Sequence, residues 1–334
     1  MDSGPTPDAP LPVDSASTAV PAVAAKDASP PAVPWPQPRY SEFMQYPVVS
    51  ATAALAVAVT LAWWAKVDIS TLFASPQIGR GQWWRLLTSV LPHINLFHLI
   101  FNLSWLWVLG TKIEKIFGHL NTVLLFLILG LGSNAFQYAL DEPGVGLSGI
   151  GYGLFGLLWV LSARDPRFAG AMDKSTVNLF VGWFFLCVVL TATHVWNVGN
   201  IAHGAGAIFG ILIGFAIAIP RLRPSLTLVV VLLSAFSVWG SAWGRPKINF
   251  SSNAGWEEAH FAYLAMQDGN YADAVRWSLD SLRYRPNDAP TWYNLGVAYE
   301  NLGQSDQAYS AYDKAAKLDP NNTDYEKARD DIRK

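Results

Sequence analysis

Seven apolar stretches fill most of the chain between Val48 and Trp243, and they restrict its fold more than any other feature. They run from 48 to 64, 96 to 109, 122 to 140, 148 to 161, 177 to 193, 201 to 219 and 226 to 243. A segment of about 20 apolar residues crosses the hydrocarbon core of a bilayer as a helix. Such a helix satisfies its backbone polar groups within one segment, without water. The pattern therefore predicts an all-α, polytopic membrane helical bundle.

Composition indicates that a soluble domain is attached to this bundle. Of the 334 residues, 51% are hydrophobic and only 14% are charged, which is unusual for a soluble protein. Charges of both signs are concentrated near the carboxyl terminus, so we expect a seventh transmembrane helix at 221–247 and a soluble domain at 248–334. The net charge of −2 does not indicate nucleic-acid binding, and the single cysteine, Cys187, excludes an internal disulfide and a cysteine-based zinc site. We predict no cofactor.

The first 45 residues differ in composition from the rest. They are rich in Pro, Ala, Ser and Val, and they lack a basic region followed by an apolar core. Their last part contains the run Pro34-Trp35-Pro36-Gln37-Pro38. We predict a disordered tail at 1–45, and not a signal peptide.

Lysine and arginine residues in the short loops predict the orientation of the bundle. The loop with Asp141 and Glu142 and the loop around Trp196 contain neither, although Arg80 and Arg85 in a longer loop blur the rule. The alternate loops carry Lys112, Lys115, Arg164, Arg167, Lys174, Arg221 and Arg223. The basic side should be cytoplasmic, so seven crossings from a cytoplasmic amino terminus place 248–334 on the outer side of the membrane, which we expect to be a bacterial inner membrane.

The soluble domain contains a repeat with a period of 34 residues. The second copy has the residue pattern of a tetratricopeptide repeat: Trp292, Leu295, Gly296, Tyr299, Ala308, Tyr312, Ala315 and Pro320. A degenerate first copy contains Phe261, Ala262, Ala265, Ala274, Ser281 and Pro286. With a polar capping helix at 322–334, this predicts two repeats plus a cap. Because about three repeats are normally needed for a continuous core, we expect the two repeats to be stabilised by contacts with the membrane part, with a second copy of the domain or with a partner.

Ser148 stands where a glycine-rich turn, Gly144-Val145-Gly146-Leu147-Ser148-Gly149, leads into the fourth apolar stretch. Such a turn exposes a hydroxyl, and the helix that follows offers unpaired N–H groups to a developing anion. This arrangement suits a nucleophile. Taken alone, the motif also fits a packing contact between membrane helices.

Other polar residues at membrane depth are candidate partners of Ser148. His98 and Asn102 share one helical face and follow His93, and His203 begins the sixth stretch. Tyr152 lies one turn after Ser148, where its ring could stack on an imidazole. Interhelical hydrogen bonding is the structural alternative for the His98 and Asn102 pair. For a lone histidine such as His203, the structural alternative is a buried side chain whose ring nitrogens are hydrogen-bonded within the bundle.

Small and charged residues have a structural interpretation. Gly206, Gly210 and Gly214 form a stripe, and Gly149, Gly153 and Gly156 form another, so these two helices can approach closely. Arg85 and Glu114 have no obvious role in bond breaking, and we predict that they hold the long loop between the first and second apolar stretches in place.

Between about Val48 and Ile219 the chain resembles the rhomboid intramembrane serine proteases. The matching pieces, in family order, are Trp84-Arg85, His93-x4-His98-x3-Asn102, Glu114-Lys115, Gly146-Leu147-Ser148-Gly149 with Tyr152, and Ala202-His203-x2-Gly206-x3-Gly210. The resemblance implies a six-helix catalytic core, here at 46–220. The seventh helix and the repeats lie outside that core.

The resemblance also implies an activity, which is cleavage of transmembrane segments of other proteins near their outer ends. Ser148 would be the nucleophile and His203 the base, without a carboxylate. His98 and Asn102 would donate to the oxyanion together with the N–H of Ser148, and Tyr152 would pack on the histidine. We expect a lid at the loop from Trp196 to Gly199, the lipid bilayer and transmembrane proteins as partners, and a protein or peptide bound by the repeats.

Two other functional classes compete with this interpretation. A non-catalytic rhomboid-like scaffold that binds membrane clients should lack the serine or the histidine, which this chain keeps. A metalloprotease with His93, His98 and His203 as ligands would need an acidic residue that no span supplies convincingly, and there is no His-Glu-x-x-His. The same lack of acids argues against aspartyl chemistry.

Overall fold

The computed structural model describes Met1, Trp35 and residues 39–333. Every regular element within these residues is helical, which confirms the all-α prediction. The predicted tail at 1–45 falls largely outside the described residues. Tyr40–Gln45, at the end of that segment, forms a 3₁₀ helix.

The membrane part consists of long helices joined by short loops and one long loop. Within the described residues, five helices are long and apolar enough to cross a membrane. The elements are α1 (Pro47–Trp64), the short α2 (Arg85–Thr88), α3 (Leu96–Leu140), α4 (Ser148–Arg164), α5 (Lys174–Ala192), α6 (Asn200–Ala218) and α7 (Arg223–Trp239), which continues through the π-helical Gly240–Gly244 into α8 (Arg245–Ile248).

Helix α3 has 45 residues and is interrupted at Gly118, whose φ of 74° and ψ of 174° are not helical. The interruption separates sections 96–117 and 119–140, which contain the second and third predicted apolar stretches. Just before it, the Glu114 carboxylate accepts hydrogen bonds from the N–H groups of Val48 (2.9 Å) and Val49 (3.0 Å) and so caps α1. With α4, which has only 17 residues, the helical sections correspond to the seven predicted stretches. The protein is a multi-pass membrane protein.

Arg85 organises the long loop between α1 and α3. Its guanidinium is buried and donates to the carbonyl oxygens of Ser70 (2.7 Å) and Phe73 (3.0 Å) and to Oε1 of Gln82 (2.7 Å). These bonds fix a segment that contains two 3₁₀ helices, Ser70–Leu72 and Pro76–Arg80. Thus Arg85 lies in the loop where the sequence placed it, whereas Glu114 contacts α1 and not this loop.

Helices α4 and α6 are in direct backbone contact. A Cβ built on Gly206 would collide with the carbonyl oxygen of Gly149, and one on Gly210 with that of Gly153. On the other side of the contact, a Cβ on Gly156 would collide with the carbonyl oxygen of Ala207. Small residues permit this approach, which in a bilayer is stabilised by van der Waals packing.

The soluble domain consists of two helical pairs and a final helix. They are α9 (Trp256–Gln267), α10 (Tyr271–Tyr284), α11 (Ala289–Asn301), α12 (Ser305–Leu318) and α13 (Thr323–Asp331). Within the second pair Gly296 faces the Tyr312 ring, where a Cβ would lie 2.5 Å from Cδ1. The small residue therefore makes room for the aromatic one, as the repeat pattern predicts.

The first helical pair is docked on the membrane part through Arg80. The Arg80 guanidinium lies 3.1 Å from the centroid of the Trp277 ring. It also approaches Asp273 (3.5 Å) and Asp280 (3.8 Å). Partly desolvated cation–π contacts of this type stabilise by about 1–2 kcal/mol. The two repeats therefore gain support from the membrane part, one of the three supports expected for so short an array.

Substitution of Gly210 by alanine tests the backbone contact between α4 and α6. The new Cβ must displace the Gly153 carbonyl, and overpacking of this kind costs about 1–3 kcal/mol. We expect a lower unfolding temperature for Gly210→Ala in detergent micelles, measured by intrinsic tryptophan fluorescence. Gly182→Ala on α5 is the control, because a Cβ there meets no atom within 4 Å. Equal unfolding temperatures for both variants would contradict the proposed contact.

Candidate active site

Ser148 is the first residue of α4 and is half-buried. The turn before it requires Gly146, which has a φ of 97°. The first hydrogen bond of the helix runs from the N–H of Gly151 to the carbonyl of Leu147 (2.9 Å). The N–H groups of Ser148, Gly149 and Ile150 precede that bond, so they have no acceptor within the helix. The Ser148 hydroxyl is thus next to backbone donors at the positive end of a helix dipole.

His203 lies in the first turn of α6 and is buried, with 4% of its surface exposed. It precedes Gly206 by one turn, and Gly206 touches the backbone of Gly149, the residue after Ser148. The contact between α4 and α6 therefore brings the helix starts that carry Ser148 and His203 together.

The His203 ring is stacked on Tyr152. The ring centroids are 4.5 Å apart and the planes differ by 25°. The Tyr152 hydroxyl donates to the carbonyl of Phe180 (3.1 Å), which fixes its ring in turn. His203 Nδ1 is buried without a hydrogen-bond partner among the described residues. The orientation of the imidazole therefore depends on aromatic packing.

His98 lies against the glycine turn. A Cβ on Gly146 would be 2.6 Å from Cε1 and 2.7 Å from Nε2 of the His98 ring. Asn102, one turn further along α3, is buried and donates from Nδ2 to the carbonyl of His98 (2.9 Å). Its amide has a second N–H for another acceptor. The structure thus brings the His98 ring to the turn that carries Ser148, and one Asn102 donor is used within α3.

His93 also contacts this glycine turn. Its Nδ1 lies 2.8 Å from the carbonyl of Leu91, and its Nε2 accepts from the N–H of Leu147 at 3.4 Å. Burial, reinforced by His98, lowers the pKa of His93 to about 4, so the ring is neutral. A carbonyl can only accept, so the proton is on Nδ1 and Nε2 is left as the acceptor.

These bonds bear on the metal-site alternative. Both ring nitrogens of His93 are occupied by the backbone, and no three His, Cys, Asp or Glu side chains within the described residues are arranged to hold a metal ion. Arg85 and Glu114 have other partners: Arg85 bonds within the long loop, and Glu114, on α3, bonds to the start of α1. The candidate site contains Ser148, His203, Tyr152, His98 and His93. His98 and His93 lie against Gly146, and His203 lies on Tyr152.

Gln137 belongs to this region, and the sequence interpretation missed it. It is buried, and its Oε1 accepts from the N–H of Ala202, the residue before His203 (3.1 Å). Its Nε2 donates to the carbonyl of Glu142 (3.0 Å). Gln137 lies in an apolar stretch, so the cost of an amide at membrane depth was the signal that could have identified it.

The predicted lid lies beside these residues. In the loop from 193 to 199, Trp196 is 49% exposed and Asn197 donates to Glu142 Oε2 (3.0 Å). The loop ends at Gly199, whose carbonyl accepts from the N–H of His203 (3.2 Å). The candidate lid therefore leads directly into the helix that carries the candidate base.

Comparison with known proteins agrees with the sequence motifs. Residues 80–220 match the Rhomboid domain, and residues 289–322 match the Tetratricopeptide repeat, at α11 and α12. Rhomboid protease GluP of Bacillus subtilis (strain 168) is 27% identical over 250 residues, which are 73% of this chain and 47% of that protein. Rhomboid protease GlpG of Enterobacter sp. (strain 638) is 32% identical over 139 residues, 40% of this chain and 48% of that protein. The chain thus spans about half the length of these relatives. The rhomboid resemblance and the repeat are confirmed.

Tyr152 variants test whether stacking orients His203. We expect Tyr152→Phe to keep the reactivity of Ser148 toward a fluorophosphonate, since the ring remains. Tyr152→Leu should lower the labelling rate by about three- to tenfold, the equivalent of one aromatic contact. Labelling is followed by gel fluorescence in micelles.

Phe155→Leu is the matched control for the Tyr152 variants. It removes the next ring of α4, which stacks on Trp159 and Phe180 and meets Tyr152 only edge-on, at 6.2 Å between centroids. We expect it to lower stability without slowing the labelling of Ser148. Equal labelling rates for Tyr152→Leu and the wild type would show that the stack does not orient His203.

Proposed function

We propose that this chain, which contains a rhomboid domain, is an intramembrane serine endopeptidase that cleaves transmembrane segments of other proteins with a Ser148–His203 dyad. The observation that carries the proposal is the meeting of the two helix starts. Ser148 stands at the amino end of α4, His203 at that of α6, and the glycine contact holds the two ends together. Two relatives named as rhomboid proteases support the activity.

The first half of the reaction forms an acyl-enzyme. His203 takes the Ser148 proton as Oγ attacks the scissile carbonyl, and the imidazolium then gives that proton to the leaving amine. No carboxylate is needed to hold the ring, because Tyr152 fixes its plane. In the second half, water attacks the acyl group with His203 again as the base.

The negative charge that develops on the carbonyl oxygen needs donors. The N–H of Ser148 lies at the start of α4, and the His98 ring lies on the glycine turn beside it. Asn102 contributes its second amide N–H. In a poorly solvated site, one such donor is worth about 100- to 1000-fold in rate. His93 positions the turn through Leu147.

The rest of the chain suggests where the reaction takes place. The basic loops support an orientation with the amino terminus in the cytoplasm. We assign the protein to a bacterial inner membrane. Seven crossings then place the repeats on the outer side, with the Ser148 end of α4. The repeat domain would bind a protein or peptide there. We assign the membrane core to 46–220, the seventh helix to 221–247 and the repeat domain to 248–334.

Removal of either dyad residue is the direct test of the function. Ser148→Ala and His203→Ala should each lower cleavage of a panel of transmembrane substrates by about 1000-fold or more in proteoliposomes. Ser104→Ala, an exposed serine of α3 that bonds to the carbonyl of Ile100, is the control and should cleave normally. Cleavage that persists in both dyad variants would overturn the assignment. If the wild type binds but cleaves none of the panel, the scaffold alternative is favoured.

Asn102 and Asn121 form a matched pair for the oxyanion role. Each lies on α3 and donates from Nδ2 to the carbonyl four residues earlier, but Asn121 is exposed and lies just after the interruption at Gly118. We expect Asn102→Ala to lower kcat/KM by about 100-fold or more and to leave the fold intact. Asn121→Ala should leave kcat/KM unchanged. Similar losses in both variants would show that Asn102 acts only through the helix.

A further inference from the structure

The segment that joins the seventh helix to the repeat domain lies on the carboxyl end of α3. Asn249 Nδ2 donates to the carbonyl of Asp141 (2.9 Å), and the N–H of Phe250 donates to that of Leu140 (2.9 Å). The buried Arg245 donates to the carbonyls of Tyr138 (2.9 Å) and Asp141 (3.3 Å). The last four carbonyls of a helix have no N–H donor within that helix. The linker therefore caps α3.

Glu142, the next residue, joins this linker to the candidate lid. Its Oε1 accepts from Asn253 Nδ2 (2.5 Å) and from Ser251 Oγ (3.3 Å), both in the linker. Its Oε2 accepts from Asn197 Nδ2 (3.0 Å), in the loop from 193 to 199. One carboxylate thus bonds at the same time to two segments that are distant in sequence.

Gln137 extends the connection to His203. It donates to the carbonyl of Glu142 and accepts from the N–H of Ala202. A Cβ on Gly199 would lie 3.3 Å from Gln137 Oε1, so the amide also touches the end of the lid loop. The linker, Glu142, Gln137 and the first turn of α6 form one continuous hydrogen-bonded chain.

The repeat domain is held firmly enough on the membrane part to act on this series of hydrogen bonds. Besides the contacts of Arg80 with Trp277 and two aspartates, Arg245 lies 3.5 Å from Glu257 and 3.6 Å from Glu258 at the start of α9. The first repeat is therefore held on the membrane part at two places, by Arg80 at α10 and by Arg245 at the start of α9. A displacement of that repeat would pull on residues 249–253.

We propose that Glu142 is a positioning residue that couples the repeat domain to the loop from 193 to 199, and so controls access to Ser148. Its two oxygens transmit a displacement of the linker to Asn197. Release of either bond loosens the loop. The kinetic part of this inference rests on the proposed protease function, whereas the coupling itself does not.

Hydrogen exchange of the full-length protein in micelles tests the coupling without any substrate. Asn253→Ala removes the shorter of the two linker bonds to Glu142 and leaves the bond from Ser251. It should speed exchange of the loop amides about tenfold, the lower end of the range for one hydrogen bond to a charged group, because the Ser251 bond remains. Glu142→Ala should have at least that effect. The double variant should exchange no faster than Glu142→Ala alone, because both changes break the same connection.

Asn301→Ala is the matched control, since this exposed asparagine of the repeat domain donates from Nδ2 to the carbonyl of Val297 in its own helix. It should leave the loop unchanged. Unaltered exchange in Asn253→Ala, or additive effects in the double variant, would overturn the coupling. Glu142→Gln, which keeps the size but cannot accept from both asparagines, should resemble the alanine variant.

Kinetics decide whether the coupling governs access. We expect Asn253→Ala and Asn197→Ala to raise kcat/KM for a transmembrane substrate about threefold, with unchanged labelling of Ser148 by a small fluorophosphonate. Parallel losses of cleavage and labelling would indicate a purely structural role and overturn the access claim. If the wild type cleaves no substrate, the protease proposal fails, and the exchange measurements still decide the coupling.

Discussion

The backbone contact between α4 and α6 is the interaction on which the candidate site depends. Gly206 and Gly210 present no side chain to the carbonyls of Gly149 and Gly153, so the two helices approach to van der Waals contact of their backbones. In a bilayer there is no hydrophobic driving force between helices, and such packing must hold them together. The helix starts that carry the candidate nucleophile and base meet because this contact lies directly below them. A shift of one turn in either helix would separate them.

In the candidate site, aromatic packing takes the place that an acidic residue would have beside the histidine. His203 has a buried Nδ1 without a partner among the described residues, and its ring lies on Tyr152. A carboxylate at this depth would carry a desolvation penalty of several kcal/mol that a neutral histidine does not repay. Glu142, an acidic residue of the loop before Ser148, is bonded to Asn197 and Asn253 instead. Stacking on a neutral ring fixes the imidazole plane without that penalty.

Two arginines that blur the charge rule for topology are explained by their contacts. Arg80 lies on Trp277 of the first repeat, and Arg85 donates to carbonyls of its own loop. Both are therefore structural, and neither reports on which side is cytoplasmic. The same contact accounts for the degenerate first copy, whose helix α10 faces the membrane part. Trp277, Asp273 and Asp280 of α10 contact Arg80 of the membrane part.

The sequence by itself determined the helical class, the two repeats and the dyad candidates, because apolar length, a 34-residue period and a serine after a glycine turn are local signals. Gln137 was within reach of the same reasoning, as an amide in an apolar stretch. Glu142 was not, because its partners Asn197 and Asn253 are 55 and 111 residues away. Only the tertiary structure decided those pairings and the docking of the repeats, since a loop carboxylate has no preferred partner until the surrounding helices fix its distance to each donor.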